Sequence, residues 1–346
     1  MKVGLAGFPG AGKSTVFAAL TGLPPAALGE RRTQIGTIKV PDERVDALAE
    51  IYKPRKVTYA ETTFLDCSPA KDAQKRGVLD EEAVTALRDA DALVEVVRGF
   101  PDIGGAPPRP LEDLEAFDTE LVLADLAQVE RKLERARKEK GKEREIALFE
   151  KLARHLEAGK PLRILDFGAE ERSQLAGFAF LSLRPLLVVL NVSEDRVAAP
   201  APPEFVAKAK EAGADTLVLS ARVEAEVAEL DAADRPAFLR DLGLEAAARD
   251  RFVRASYALL DLISFLTAGE DECRAWPIRR GTTARKAAGR IHSDIERGFI
   301  RAEVIAFADF IELKSEARCR EAGKLRLEGK DYVVQDGDII HFRFAV

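Results

Sequence analysis

The stretch Gly7-Phe8-Pro9-Gly10-Ala11-Gly12-Lys13-Ser14 limits what this chain can fold into more than any other. It matches the pattern GxxxxGK[ST]. A short apolar run over residues 2–6 precedes it, and residues 14–20 follow with helical spacing, so the local reading is strand, loop, helix. Glycines let consecutive backbone N–H groups turn inward, and the start of a helix adds positive potential at the same point. Such a loop is built to cradle phosphates. Lys13 is expected to reach the β- and γ-phosphates, and the Ser14 hydroxyl to ligate magnesium. Gly7, Gly10, Ala11, Gly12 and Thr15 complete the predicted phosphate contacts. A plain glycine-rich turn would not need a strand before it and a helix after it.

Further apolar runs at residues 58–65, 92–97, 185–190 and 216–219 alternate with helical stretches, which predicts an α/β domain with a mostly parallel sheet. Asp66 closes the first of these runs, where a carboxylate would hold the magnesium through a water; the same residue type also caps helices. Lys13 and Asp66 are the catalytic candidates, and Ser14, Asp66 and Thr33 the metal candidates. Between the strands, Leu121, Leu126, Val129 and Leu133 keep helical spacing, residues 130–144 are almost wholly charged, and Ile146, Phe149, Leu152 and Leu156 resume the stripe. This pattern predicts two long antiparallel helices turning near Gly141. Beyond about residue 260 the chain reads as a small sheet crossed by one helix over residues 283–292, with strands at 332–334 and 339–344 joined through an Asp336-Gly337-Asp338 turn. The expected domains are therefore 1–118 with 182–262, a helical insertion over 119–181, and 263–346.

At 346 residues, two or three compact units are expected, and 47% hydrophobic with 32% charged residues is globular composition. The formal net charge of -6 argues against bulk attraction to nucleic acid and leaves room only for local basic faces. Cys67, Cys273 and Cys319 are isolated thiols that suit a reducing compartment, and the three histidines are scattered. No leader or membrane-length apolar run is visible, so a soluble, cytoplasmic monomer is expected. Trp276 sits in an alternating stretch and reads as core.

Many GTP-binding proteins read guanine with an NKxD sequence. Here Asn191-Val192-Ser193-Glu194 follows a strand, so the carboxylate is displaced by a methylene and no lysine stem can cover the base. Guanine selectivity should weaken and ATP be accepted, with Asn191, Val192 and Glu194 on the base side, joined by Ser220 and Ala221 ahead of Glu224. With these residues in hand, the chain resembles the YchF-type members of the Obg-related P-loop NTPases over almost its whole length. The resemblance rests on Gly7 to Thr15, Asn191 to Glu194, Ser220 to Glu224, the helical insertion, and above all residues 265–346, which include Arg274-Ala275-Trp276 and Gly337-Asp338-Ile339-Ile340-His341-Phe342. It implies a C-terminal TGS domain of ubiquitin-like β-grasp fold and a cytoplasmic ATP- or GTP-hydrolysing protein that associates with ribosomes.

One region departs from that family. Its members carry DxxG and a glycine-rich switch, whereas Asp66-Cys67-Ser68-Pro69 runs here into a charged, helix-forming stretch. Pro69 has no N–H to offer a γ-phosphate. Residues 29–36 also look shortened, and Gln74 is the sole candidate to orient water. A nucleotide-binding module without appreciable turnover is therefore the alternative to a slow NTPase. Eight cations between Arg131 and Arg144 could form an RNA-contacting arm or a solvated face held by pairs such as Glu134 with Lys138. Arg279, Arg280, Arg285, Lys286 and Arg290 form a second such surface in the last domain.

Overall fold

The computed structural model describes residues 1–23, 33–67, 79–231 and 233–345. Two compact units emerge from the contacts. One holds Met1–Ile38 with Thr63–Leu259, the other Lys39–Thr62 with Leu260–Val346. The boundary expected at residue 263 thus lies close to the observed one, but residues 39–62 cluster with the C-terminal unit and not with the domain expected to span 1–118. The helical insertion clusters with the first unit.

The first unit is built on strands β1 (Lys2–Ala6), β2 (Thr33–Val40), β4 (Ala60–Cys67), β5 (Ala92–Gly99), β6 (Leu186–Val192) and β7 (Ala214–Leu219), with β3 (Lys56–Thr58) falling between β2 and β4 in the chain. Their order is β2-β4-β1-β5-β6-β7. The pairs β1–β4, β1–β5, β5–β6 and β6–β7 are all parallel. A parallel strand inside a sheet is covered on both faces, which is why β5 and β6 are mostly apolar and buried almost throughout. Leu93, Val97, Val188 and Leu190 pack one face against Leu114, Phe117 and Phe205. Each fully buried side chain of this size contributes roughly 1.5–3 kcal/mol.

Glu95 is an acidic residue in the middle of β5. It has no exposed surface, and neither carboxylate oxygen has a partner among the described residues. Burial pushes its carboxyl pKa well up, and the charge of Asp118 adds to the shift while Arg163 opposes it.

The helical arm consists of Pro110–Ala136 and Glu143–Glu157. Pro110 opens the first helix, where a missing N–H costs nothing, so the arm begins before the expected residue 119. Its 27 residues span about 40 Å. Val129 and Leu133 meet Leu148, Phe149 and Leu152 across the hairpin, and Gly141 takes the left-handed φ of 77° in the connection. The chain returning from the arm is anchored by Asp125, which accepts from the Leu181 N–H at 2.9 Å, the Ser182 N–H at 2.7 Å and the Ser182 hydroxyl at 2.7 Å.

The second unit holds β8 (Leu262–Thr267), β9 (Glu272–Arg279), β10 (Phe299–Ala306), β11 (Arg326–Glu328) and β12 (Asp338–Phe344), in the order β11-β10-β12-β8-β9-β3. The helix Ala284–Ile291 lies on one face, where Ala284, Ala287 and Ala288 sit close to Phe265, Ile278, Val304 and Ile340. The expected strand at residues 332–334 is not formed; Val333 makes one isolated bridge to Thr283. Instead β12 pairs antiparallel with β10 and parallel with β8. Asp338 accepts from Tyr332 and from the Gln335 N–H, which holds the turn in place of a hairpin. Trp276 is partly buried against this core, as expected. Among the described residues, no helix is long and apolar enough to cross a membrane.

Candidate functional site

The loop after β1 has the dihedrals that its glycines were expected to supply. Gly7, Gly10 and Gly12 have φ of 138°, 80° and 87°. At Gly7 a methyl group would lie 2.4 Å from the Val96 carbonyl oxygen, so the loop departs from the sheet in direct contact with β5. The Ala11 N–H donates to the Phe8 carbonyl at 3.2 Å, which closes the turn, and the helix Lys13–Thr21 starts immediately after it. Thr15 is exposed beside it.

Lys13 is only 6% exposed, and its ammonium donates to the Phe8 carbonyl oxygen at 3.0 Å. Burial lowers its pKa, opposed by the charge of Asp66. The Ser14 hydroxyl donates to Asp66 Oδ2 at 3.1 Å. Asp66 is 2% exposed and lies within β4. Two hard oxygen donors therefore converge beside the loop, on a strand that neighbours β1. This donor set suits magnesium, which prefers one or two protein oxygens and completes its shell with phosphate and water. Thr33 belongs to β2 and its side chain lies outside the described residues, as do Pro69 and Gln74 altogether.

The residues expected on the base side lie on the other flank of the loop. Asn191, at the end of β6, donates from Nδ2 to the Ala11 carbonyl at 2.9 Å and accepts from the Ala221 N–H at 2.9 Å. Its amide thus ties three segments together, a task its sequence position alone did not reveal. Gly12 lacks a side chain for the same reason, since a methyl there would lie 2.4 Å from Asn191 Nδ2. Ser220 caps the helix Ala221–Glu229, and buried Glu224 accepts from the Ala248 N–H at 2.8 Å, which fixes the loop from behind. A cleft of about 720 Å³ opens here, walled by Gly12, Thr15, Asn191, Val192, Glu194 and Ala221. Val192 is buried and Glu194 exposed at the rim. Phe100 and Leu242 also line the cleft; they come from distant loops and carry no motif, so the sequence offered no signal for them.

A parallel sheet whose first strand runs into a glycine-turned loop, with a buried lysine and a Ser–Asp pair beside it, defines a P-loop nucleotide-binding protein. The YchF-GTPase_C family, described as a protein of unknown function (DUF933), matches residues 262–345. The chain is 40% identical over 364 residues to the ribosome-binding ATPase YchF of Bacillus subtilis, with 100% of both chains covered, and 41% identical to the Escherichia coli O157:H7 protein of that name, with 100% of this chain and 99% of the relative covered. The chain belongs to the YchF family. The solved Schizosaccharomyces pombe YchF GTPase superposes with a TM-score of 0.87 at 29% identity, covering 99% of this chain and 97% of that one. A GTP binding protein from Pyrococcus horikoshii OT3 shares the fold, with a TM-score of 0.63 at 20% identity over 100% of each chain.

Proposed function

We propose that this protein is a magnesium-dependent purine nucleotide hydrolase that accepts ATP as well as GTP, turns over slowly, and acts in association with ribosomes. The Ser14–Asp66 pair beside buried Lys13 carries the reading. Backbone N–H groups of Gly10, Gly12, Lys13 and Ser14 would bind the phosphates, Lys13 would neutralise charge on the β- and γ-oxygens, and Ser14 with Asp66 would hold the metal. Bound magnesium would supply a Lewis acid at the phosphoryl oxygens. The chain contributes positioning and fixed positive charge, with no protein nucleophile required.

ATP acceptance is supported by Glu194 and Val192 in place of the usual guanine readers, and by relatives named ribosome-binding ATPases. The ribosome reading draws on the same names and on the cations of the arm. We read residues 263–346 as a TGS-like β-grasp domain, which the single helix across a mixed sheet supports, and the protein as a cytoplasmic monomer. Phosphate release, measured with ATP and with GTP, with and without ribosomes, tests the central claim. Release no faster than that of Lys13→Ala in every condition refutes hydrolysis. Tight nucleotide binding without single-turnover cleavage would establish the binding-module alternative that Pro69 suggests.

A further inference from the structure

The hairpin end of the helical arm carries a concavity that the nucleotide site does not use. It encloses about 480 Å³ and is walled by Gly141, Lys142, Glu143, Arg144, Glu145, Phe149, Gln174 and Phe178. Its aromatic wall is preorganised. Phe178 is half-buried, stacked on Phe180 at 5.5 Å and edge-on to Phe149 at 4.9 Å. The backbone of Phe178 is held at both ends: its N–H donates to Leu175 and its carbonyl accepts from Gln128 at 2.8 Å. Lys132 reaches over the same ring at 5.8 Å.

The charges around it are unevenly spent. Lys132 and Lys142 both pair with Glu145, Lys138 with Glu134 and Arg137 with Glu150. Arg131, Arg135, Lys140 and Arg144 are exposed and form no ion pair with a carboxylate among the described residues, although Arg135 acts on neighbouring Glu134 and Arg131 donates to the Ala127 carbonyl at 3.0 Å. Glu143 is the unpaired carboxylate on the cavity wall. Arg131 and Arg135 stand one helical turn apart, about 6 Å along the axis. Lys140 and Arg144 thus stand exposed at the hairpin end with no ion pair among the described residues.

We infer that this concavity receives an unpaired nucleotide of RNA, with its base against Phe178 and its phosphates on Arg144 and the neighbouring exposed cations. A rigid aromatic surface beside guanidinium groups is the chemistry by which proteins take unstacked bases, whereas paired RNA offers mainly phosphates and 2′-hydroxyls. Exposed Gln174 supplies an amide that can meet a base edge. The inference rests on the ribosome reading above and names the part of the arm that meets RNA.

The test uses the full-length protein with purified ribosomal subunits, and with a synthetic RNA hairpin carrying an unpaired loop against the fully paired duplex of the same stem. Arg144→Glu should weaken binding to subunits and to the hairpin by at least about tenfold and flatten the salt dependence by roughly one unit. Phe178→Leu should weaken the looped hairpin by roughly tenfold and leave the duplex unchanged. Because Phe178 also packs on the arm's core, the same comparison is made with Gln174→Ala, whose side chain is exposed and donates to Glu170 at 3.5 Å, and which should weaken the looped hairpin alone. Unchanged hydrolysis of ATP in each variant verifies an intact nucleotide site. If the unaltered protein binds subunits and all three variants bind equally well, the pocket inference is overturned and the ribosome reading stands. If the unaltered protein binds no subunits, the ribosome reading itself fails. Loss on Arg144→Glu alone, with binding that survives ribonuclease, overturns the RNA assignment in favour of an acidic protein partner.

Discussion

The side-chain amide of Asn191 donates to the carbonyl oxygen of Ala11 across 180 residues of chain. Because its other amide atom accepts from Ala221, one residue holds the phosphate loop against the base-side loop. Asn191→Ala leaves a buried carbonyl and a buried N–H without their partners, each costing roughly 1–3 kcal/mol. Urea denaturation should register a loss of about 2 kcal/mol or more, and nucleotide affinity should fall at least about tenfold. Gly12→Ala, which drives a methyl into the same amide, should impair binding in the same direction. Normal affinity in both variants would falsify the tie.

The loop glycines differ in what surrounds them, and substitution should rank them. Both Gly7 and Gly10 have left-handed φ, which costs an alanine roughly 1–2 kcal/mol. Gly10 faces open space, whereas a Gly7 methyl meets backbone atoms of β5 that cannot yield. Gly7→Ala should therefore lower the melting temperature clearly more than Gly10→Ala. The reverse order would mean that the loop leaves the sheet by another path.

Glu95 gives a pH dependence with a definite sign. Its folded-state pKa is raised above the usual 4.5, so the folded state keeps a proton that the unfolded state releases. Its contribution to stability is complete below about 4.5 and is lost as pH rises through the raised value. Glu95→Gln cannot ionise. Compared by urea denaturation at about pH 5 and about pH 8, the variant should gain on the parent protein at the higher pH. A constant difference between the two would remove Glu95 from the account.

Asp125 predicts a loss confined to the root of the arm. Three donors from Leu181 and Ser182 converge on its carboxylate, within a buried environment that raises its pKa. Asp125→Ala strands the two backbone N–H groups, at a cost of about 2 kcal/mol or more. Limited proteolysis should then cut within residues 159–185 before the sheet is attacked. Uncleaved protein under conditions that release no other segment would count against the anchor.

How far the sequence spoke depended on how local each feature is. The glycine loop is written in one contiguous stretch, so Gly7 to Ser14 announced their backbone conformation. The position of Asp66 near the end of a strand was legible because it closes an alternating run. The task of Asn191 was not legible, since its partners Ala11 and Ala221 meet it only through the parallel order of β1, β5 and β6 with β7 beyond. Phe100 and Leu242 reach the cleft by the same long-range folding. The strand expected at residues 332–334 read well by alternation, but the backbone there satisfies itself through Asp338 and the isolated Thr283 bridge. Residues 39–62 gave no sign of their allegiance, because β3 finds its partner in β9, with Lys56 opposite Glu272.

That allegiance changes what can be cut. The peptide passes between the two units three times, near residues 38, 62 and 259, so the C-terminal unit is a discontinuous fold woven into the other by its own chain. A fragment starting at residue 263 would lose β3 and bare the edge of β9, inviting another chain to pair there. No single proteolytic nick can release the C-terminal unit whole: separating it intact takes two further breaks, at the ends of a segment that lies about two hundred residues upstream of the rest of its sheet.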